Sequence, residues 1–115
     1  MEINEAVAAL GALAQESRLS VFRLLVQAGR DGLSPGAIAE RLTLPGPTLS
    51  FHLAQLRQAG LVTVRRDGRS LIYAADYDGM NALMGFLTLN CCRGDVDTCA
   101  PGCQPAAPAV AARRA

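Results

Sequence analysis

Residues 33–75 read LSPGAIAERLTLPGPTLSFHLAQLRQAGLVTVRRDGRSLIYAA, and this stretch decides the fold. Ser34 suits a helix N-cap, with Pro35 at the first helical position and Leu33 able to staple onto Ile38. The helix it opens is short and ends near Leu42. TLPGP is a turn, and Pro47 starts a second helix that ends before Gly60. Leu49, Leu53 and Leu56 form the inner face of that helix, while Thr48, Phe51, His52 and Gln55 recur on the opposite face. Two short helices joined by a tight turn make a helix-turn-helix. Two β-prone runs around Asp67-Gly68 follow, which is a hairpin signal. The order predicts a winged helix: mainly α, with a small β-hairpin wing.

The pattern before this stretch is helical. Ile3, Ala6, Val7, Leu10, Leu13 and Ala14 follow helical spacing. A second helix is expected from about Glu16 to Ala28, with Ser17 as its cap and Leu19, Phe22 and Val26 on one face. After Asp76 the pattern returns to helix, with Met80, Leu83, Met84 and Leu87 in one stripe and Phe86 and Leu89 off it. A helix apolar on more than one side needs a second surface to cover it, so the first and last helices are expected to form a homodimer.

The chain has 115 residues and a formal net charge of +1, enough for one domain with one modest core. Half of it is apolar but there is no Trp, so the core is built from Leu, Ala and Val. The charge is unevenly distributed. Between Arg41 and Tyr73 lie Arg41, Arg57, Arg65, Arg66 and Arg69 against the single acid Asp67, so one face is locally basic. No apolar run reaches membrane-span length and the N-terminus, MEINEA, is acidic rather than signal-like, so a cytoplasmic location without membrane contact is expected. No Cys-x-x-Cys, phosphate loop or catalytic His/carboxylate constellation occurs, and an enzyme is not expected.

Three segments, ALAQESRLSVFRLL, LSPGAIAERLTLPGPTLSFHLAQLRQAGLV and VRRDGRSLIYAAD, taken in this order, resemble the ArsR/SmtB family of bacterial winged-helix repressors. The resemblance covers roughly residues 5 to 90, and SFHLAQLRQAGLV is its most specific part. It implies a homodimer that binds a palindromic operator in double-stranded DNA and lets go when an inducer binds. The second helix of the pair would enter the major groove with Thr48, Ser50, Phe51 and Gln55 nearest base edges. Gln55 suits adenine, and Phe51 or the Thr48 methyl suits a thymine methyl. Ser50, His52 and Arg57 are better placed to position the helix on phosphates. Arg65, Arg66 and Arg69 in the wing would add phosphate or minor-groove contacts and make binding salt-sensitive.

The departures from the family point to the sensor. Its best-known arsenic sensors carry a CxC pair on the first helix of the helix-turn-helix, where this chain has LSPGAIA and no thiol. Its zinc sensors place Asp and His along the last helix, which here has Asp76 and Asp78 but no His. All four cysteines, Cys91, Cys92, Cys99 and Cys103, instead fall in NCCRGDVDTCAPGC. In a cytosolic chain such thiols are expected to be reduced and metal-binding. Three thiolates match the charge and pyramidal geometry of As(III) or Sb(III). Cys91 and Cys92 at the end of the last helix, with Cys99 or Cys103 as the third ligand, would supply them. A vicinal pair followed by a third cysteine also resembles some arsenic repressors with C-terminal sites. Cd(II), Pb(II) or Zn(II) would favour all four thiolates, and a thiol-redox switch uses the same residues. The expected organisation is residues 1–90 for DNA binding and dimerisation, 91–103 for inducer binding, and a disordered tail over 104–115.

Overall fold

The computed structural model describes residues 1–91 and shows five helices and one hairpin among them. In order these are α1 (Ile3–Leu13), α2 (Glu16–Ala28), α3 (Pro35–Leu42), α4 (Gly46–Gln58), β1 (Val62–Asp67), β2 (Ser70–Ala75) and α5 (Tyr77–Leu87). This is the winged helix-turn-helix expected. The core joins Val21, Phe22 and Leu25 of α2, Ile38 of α3, Leu49, Leu53 and Leu56 of α4, and Leu61 and Val62 at the wing base. Leu25, Ile38 and Leu56 have no exposed surface, so truncating any of them to Ala would cost about 2–5 kcal/mol.

The helix ends follow local chemistry. The Ser34 hydroxyl accepts from the Ala37 N–H at 3.2 Å, which caps α3 ahead of Pro35. Thr43 ends α3 with φ 54 and ψ 51, turning the chain through Leu44 and Pro45 into α4. At α2 the cap differs from expectation. Gln15, not Ser17, takes the role, its Oε1 accepting from the Arg18 N–H at 2.8 Å.

The buried faces of three helices differ from the apolar stripes read in the sequence. α1 buries only Ala6, Ala9 and Ala12, whereas Ile3, Val7 and Leu10 face outward at 67%, 61% and 43% exposure. Alanine lets α1 approach α2 and α4 closely and leaves its large side chains for another surface. On α2 the buried face is Val21, Phe22 and Leu25, and Leu19 is exposed. On α5 Leu83 is buried and Met80 and Phe86 pack half-buried on the core, so Phe86 belongs to the inner side. Met84 and Leu87 point away, as does Leu89 just past the helix.

The hairpin is antiparallel, with Val62 opposite Ala75 and Asp67 opposite Ser70; Gly68 at φ 64 begins its two-residue turn. A bridge the sequence reading missed ties it to the body: Leu33, just before α3, pairs with Tyr73 of β2. At the other end of the wing, α5 begins pressed against the backbone just past α4. A Cβ on Gly79 would collide with the carbonyl oxygen of Gly60, so this approach requires glycine. The Tyr77 hydroxyl donates to the Val26 carbonyl at 2.8 Å and anchors the same end of α5 to α2.

Candidate DNA interface and sensor segment

α4 is held by its buried leucines and shows solvent a mixed polar and apolar face. Thr48, Ser50, Phe51 and Arg57 are exposed, Phe51 at 57%, and Gln55 is half-buried beside them. These five predicted residues therefore share one accessible helix. The side chain of the N-cap residue, Pro45, makes no capping bond, so it satisfies none of the first-turn amides. The width of a B-DNA major groove admits such a helix, and the exposed side chains carry donors, acceptors and a methyl-packing ring.

His52 departs from its predicted place. It is 7% exposed and belongs to the buried face with Leu49, Leu53 and Leu56. Its Nδ1 lies 3.4 Å from Nη1 of Arg18 on α2. Arginine offers only donors, so Nδ1 is the acceptor and the ring proton sits on Nε2. Burial, and next the Arg18 charge, lower its pKa below the ordinary 6.5 and keep the imidazole neutral. His52 is thus an internal strut of the recognition helix and does not lie on a phosphate-facing surface.

The wing arginines also divide. Arg66 and Arg69 are exposed, one on β1 and the other in the turn. Arg65 is exposed too but reaches back, donating to the carbonyls of Arg30 at 3.3 Å and Asp31 at 2.9 Å. It clamps the wing to the α2–α3 connection, and sequence reasoning, which saw only a basic run, missed that role. Arg18 was missed altogether, since nothing in its spacing marks it as a partner for a histidine 34 residues later.

At the other end of the molecule, α5 stops at Leu87 with Thr88 as its cap. Cys91 therefore lies beyond the helix rather than on it, after Asn90 at φ 60, with its N–H donating to the Thr88 carbonyl at 2.9 Å. Asn90, in the left-handed region, turns the chain out of the helix axis just before Cys91. Cys92, Cys99 and Cys103, and the tail over 104–115, lie outside the described residues. Among those described, no group of three or more His, Cys, Asp or Glu side chains could hold a metal ion, and no helix is long and apolar enough to cross a membrane.

A helix packed on a helix-turn-helix, with an exposed polar recognition face and a clamped basic wing, defines a DNA-binding regulator rather than an enzyme. The comparisons agree. A helix-turn-helix domain family matches residues 13–65. The HTH-type transcriptional regulator YceK of Bacillus subtilis is 38% identical over 77 residues, covering 66% of this chain and 76% of that protein. An ArsR-like transcriptional regulator from Rhodococcus sp. RHA1 superposes with a TM-score of 0.66 at 27% identity, covering 73% of this chain and 76% of that one. The homodimeric winged helix-turn-helix DNA-binding domain Mb0332 of Mycobacterium bovis superposes at 0.63 with 26% identity, covering 76% and 79%. The chain belongs to the ArsR/SmtB family of winged-helix transcriptional regulators.

Proposed function

We propose that this regulator is a homodimeric repressor that α4 and the wing hold on a palindromic operator, and that a trivalent arsenical or antimonial bound by its C-terminal thiolates releases it. The observation that carries the DNA half is the exposure of Thr48, Ser50, Phe51 and Arg57 on α4, together with that of Arg66 and Arg69 in the wing. The homodimer is supported by Ile3, Val7 and Leu10 on α1 and Met84, Leu87 and Leu89 at α5, all exposed and apolar. The M. bovis relative is itself homodimeric.

The sensing half rests on chemistry. Every thiol of the chain lies from residue 91 onward. Cys91, Cys92 and one of Cys99 or Cys103 would hold the arsenic or antimony through three thiolates, each new bond to sulfur replacing a bond to hydroxide, which leaves as water with the thiol proton. Three thiolates neutralise a trivalent centre, whereas four around a divalent ion leave excess negative charge with only Arg93 nearby. A coupling of about 1–3 kcal/mol between ion and DNA would lower operator affinity roughly 5- to 150-fold.

The test is operator release, followed by fluorescence anisotropy on a duplex selected by the full chain from a randomised pool. Arsenite, antimonite, methylarsenite, cadmium and zinc are titrated against the parent and against Cys91→Ser, Cys92→Ser, Cys99→Ser and Cys103→Ser. Loss of arsenite response at Cys91, Cys92 and one further cysteine is expected. An unchanged response in all four variants overturns the site. Release by diamide alone, reversed by reductant, replaces ion sensing with a redox switch.

A further inference from the structure

We propose that Arg18 is the positioning residue that fixes recognition helix α4 at a set angle to helix α1, and so sets which half-site spacing the dimer reads. The proposal rests on the homodimeric DNA-binding reading above. Arg18 sits in the first turn of α2, held there by the Gln15 cap on its own N–H. Its Nε donates to the Ala12 carbonyl at 2.7 Å, and its Nη1 meets His52 Nδ1 at 3.4 Å. One planar guanidinium thus bonds the end of α1 and the middle of α4 at once.

The placement is informative because a cation in the first turn of α2 opposes that helix's own dipole. What offsets it is the C-terminal end of α1, where the Ala12 carbonyl is among the last four of its helix and has no helical N–H partner. On the other arm, the His52 ring nitrogen is buried and needs a donor. Arginine's two N–H groups are fixed in one plane, so the two acceptors cannot shift independently. α1 carries the outward-facing Ile3, Val7 and Leu10, and α4 carries the DNA-facing side chains. A fixed angle between them becomes a fixed distance between the two recognition helices of a dimer, which must match about 34–36 Å between half-sites.

The experiment compares full operators whose half-sites are moved by one base pair in either direction with a duplex carrying one half-site. The duplex is again the one the full chain selects. Arg18→Met keeps the apolar stem and loses the fork. It is expected to hold the single half-site as the parent does, to bind the full operator about tenfold more weakly, and to lose preference among spacings. His52→Asn keeps an acceptor near the position of Nδ1 and is expected to keep the parent's spacing preference. His52→Gln moves the amide outward and is expected to lose it. Should Arg18→Met fail to fold, Arg18→Lys, whose ammonium donates from a single flexible point instead of a rigid fork, is read in the same way. The proposal is overturned if the forkless variant keeps the parent's spacing preference, or loses half-site and full-site affinity equally. A parent that selects no duplex overturns the DNA-binding reading first, and a parent that binds DNA as a monomer overturns the dimeric one.

Discussion

Leu33 and Tyr73 exchange both backbone hydrogen bonds, Leu33 N–H to Tyr73 carbonyl at 2.8 Å and Tyr73 N–H to Leu33 carbonyl at 2.9 Å. The wing is therefore stitched to the residue that leads into α3, and its orientation is tied to the helix-turn-helix. Gly32 makes the stitch feasible. It adopts φ 71, and a Cβ there would run into the Tyr73 carbonyl oxygen. Gly32→Ala is expected to cost about 1–3 kcal/mol through left-handed strain and to break the bridge. Urea melts measure the first effect, and faster amide exchange at Leu33 and Tyr73 reports the second.

The wing arginines should separate by assay. Arg66→Ala or Arg69→Ala is expected to leave stability unchanged and to reduce the slope of log affinity against log salt by about one. Arg65→Ala frees the carbonyls of Arg30 and Asp31 and is expected to lower thermal stability as well. Anisotropy at several salt concentrations, with melting curves alongside, distinguishes the two patterns. Equal behaviour of all three variants would contradict the clamp.

The two faces of α1 make opposite predictions. Val7→Glu changes a 61% exposed side chain and should leave the protomer folded but monomeric in sedimentation. Ala9→Glu places a carboxylate where nothing is exposed, and loss of the folded protomer is expected. A Val7→Glu protein that still sediments as a dimer would remove α1 from the interface.

His52 gives a pH dependence with a definite sign. Its folded pKa is lowered by burial and then by Arg18, so the unfolded chain takes up the proton more readily. The stability this neutral ring contributes is present above its ordinary value of about 6.5 and is lost as pH falls through the lower folded value. Relative to His52→Asn, the parent should lose stability on acidification below about pH 6.5, by no more than roughly 1.4 kcal/mol per pH unit for one proton. Paired urea melts across that range check it, and parallel pH curves would place the histidine in solvent.

Most of the fold was legible because caps, turns and periodicity agree with one another. Ser34-Pro35, the TLPGP turn and the Asp67-Gly68 hairpin all form where their chemistry puts them. The inner faces of α1 and α5 were harder to read. Both helices are apolar on two sides, and periodicity cannot say which side meets the core; small alanines, not the larger Ile3, Val7 and Leu10, pack inward on α1. The misplacement of His52 has a different cause. The complete inner stripe of α4 is Leu49, His52, Leu53 and Leu56, at helical spacing, and a polar residue within it was assigned outward on polarity alone. Its donor comes from α2, which no local pattern reveals. The exposed α4 residues were readable because they alternate with that stripe, whereas the thiols' mutual geometry depends on residues outside those described.

The glycine contact at the start of α5 also makes that helix a lever. Gly79 bears on Gly60, just past the end of α4, while the helix runs on to Leu87, eight residues and roughly 12 Å away at helical rise, with Cys91 after the turn that follows. With the fulcrum against the end of the recognition helix, a sideways movement of about 1 Å at the far end of α5 becomes a tilt of roughly 5° at the glycine. Gly79 and Gly60 leave no side chain between the two backbones to absorb it.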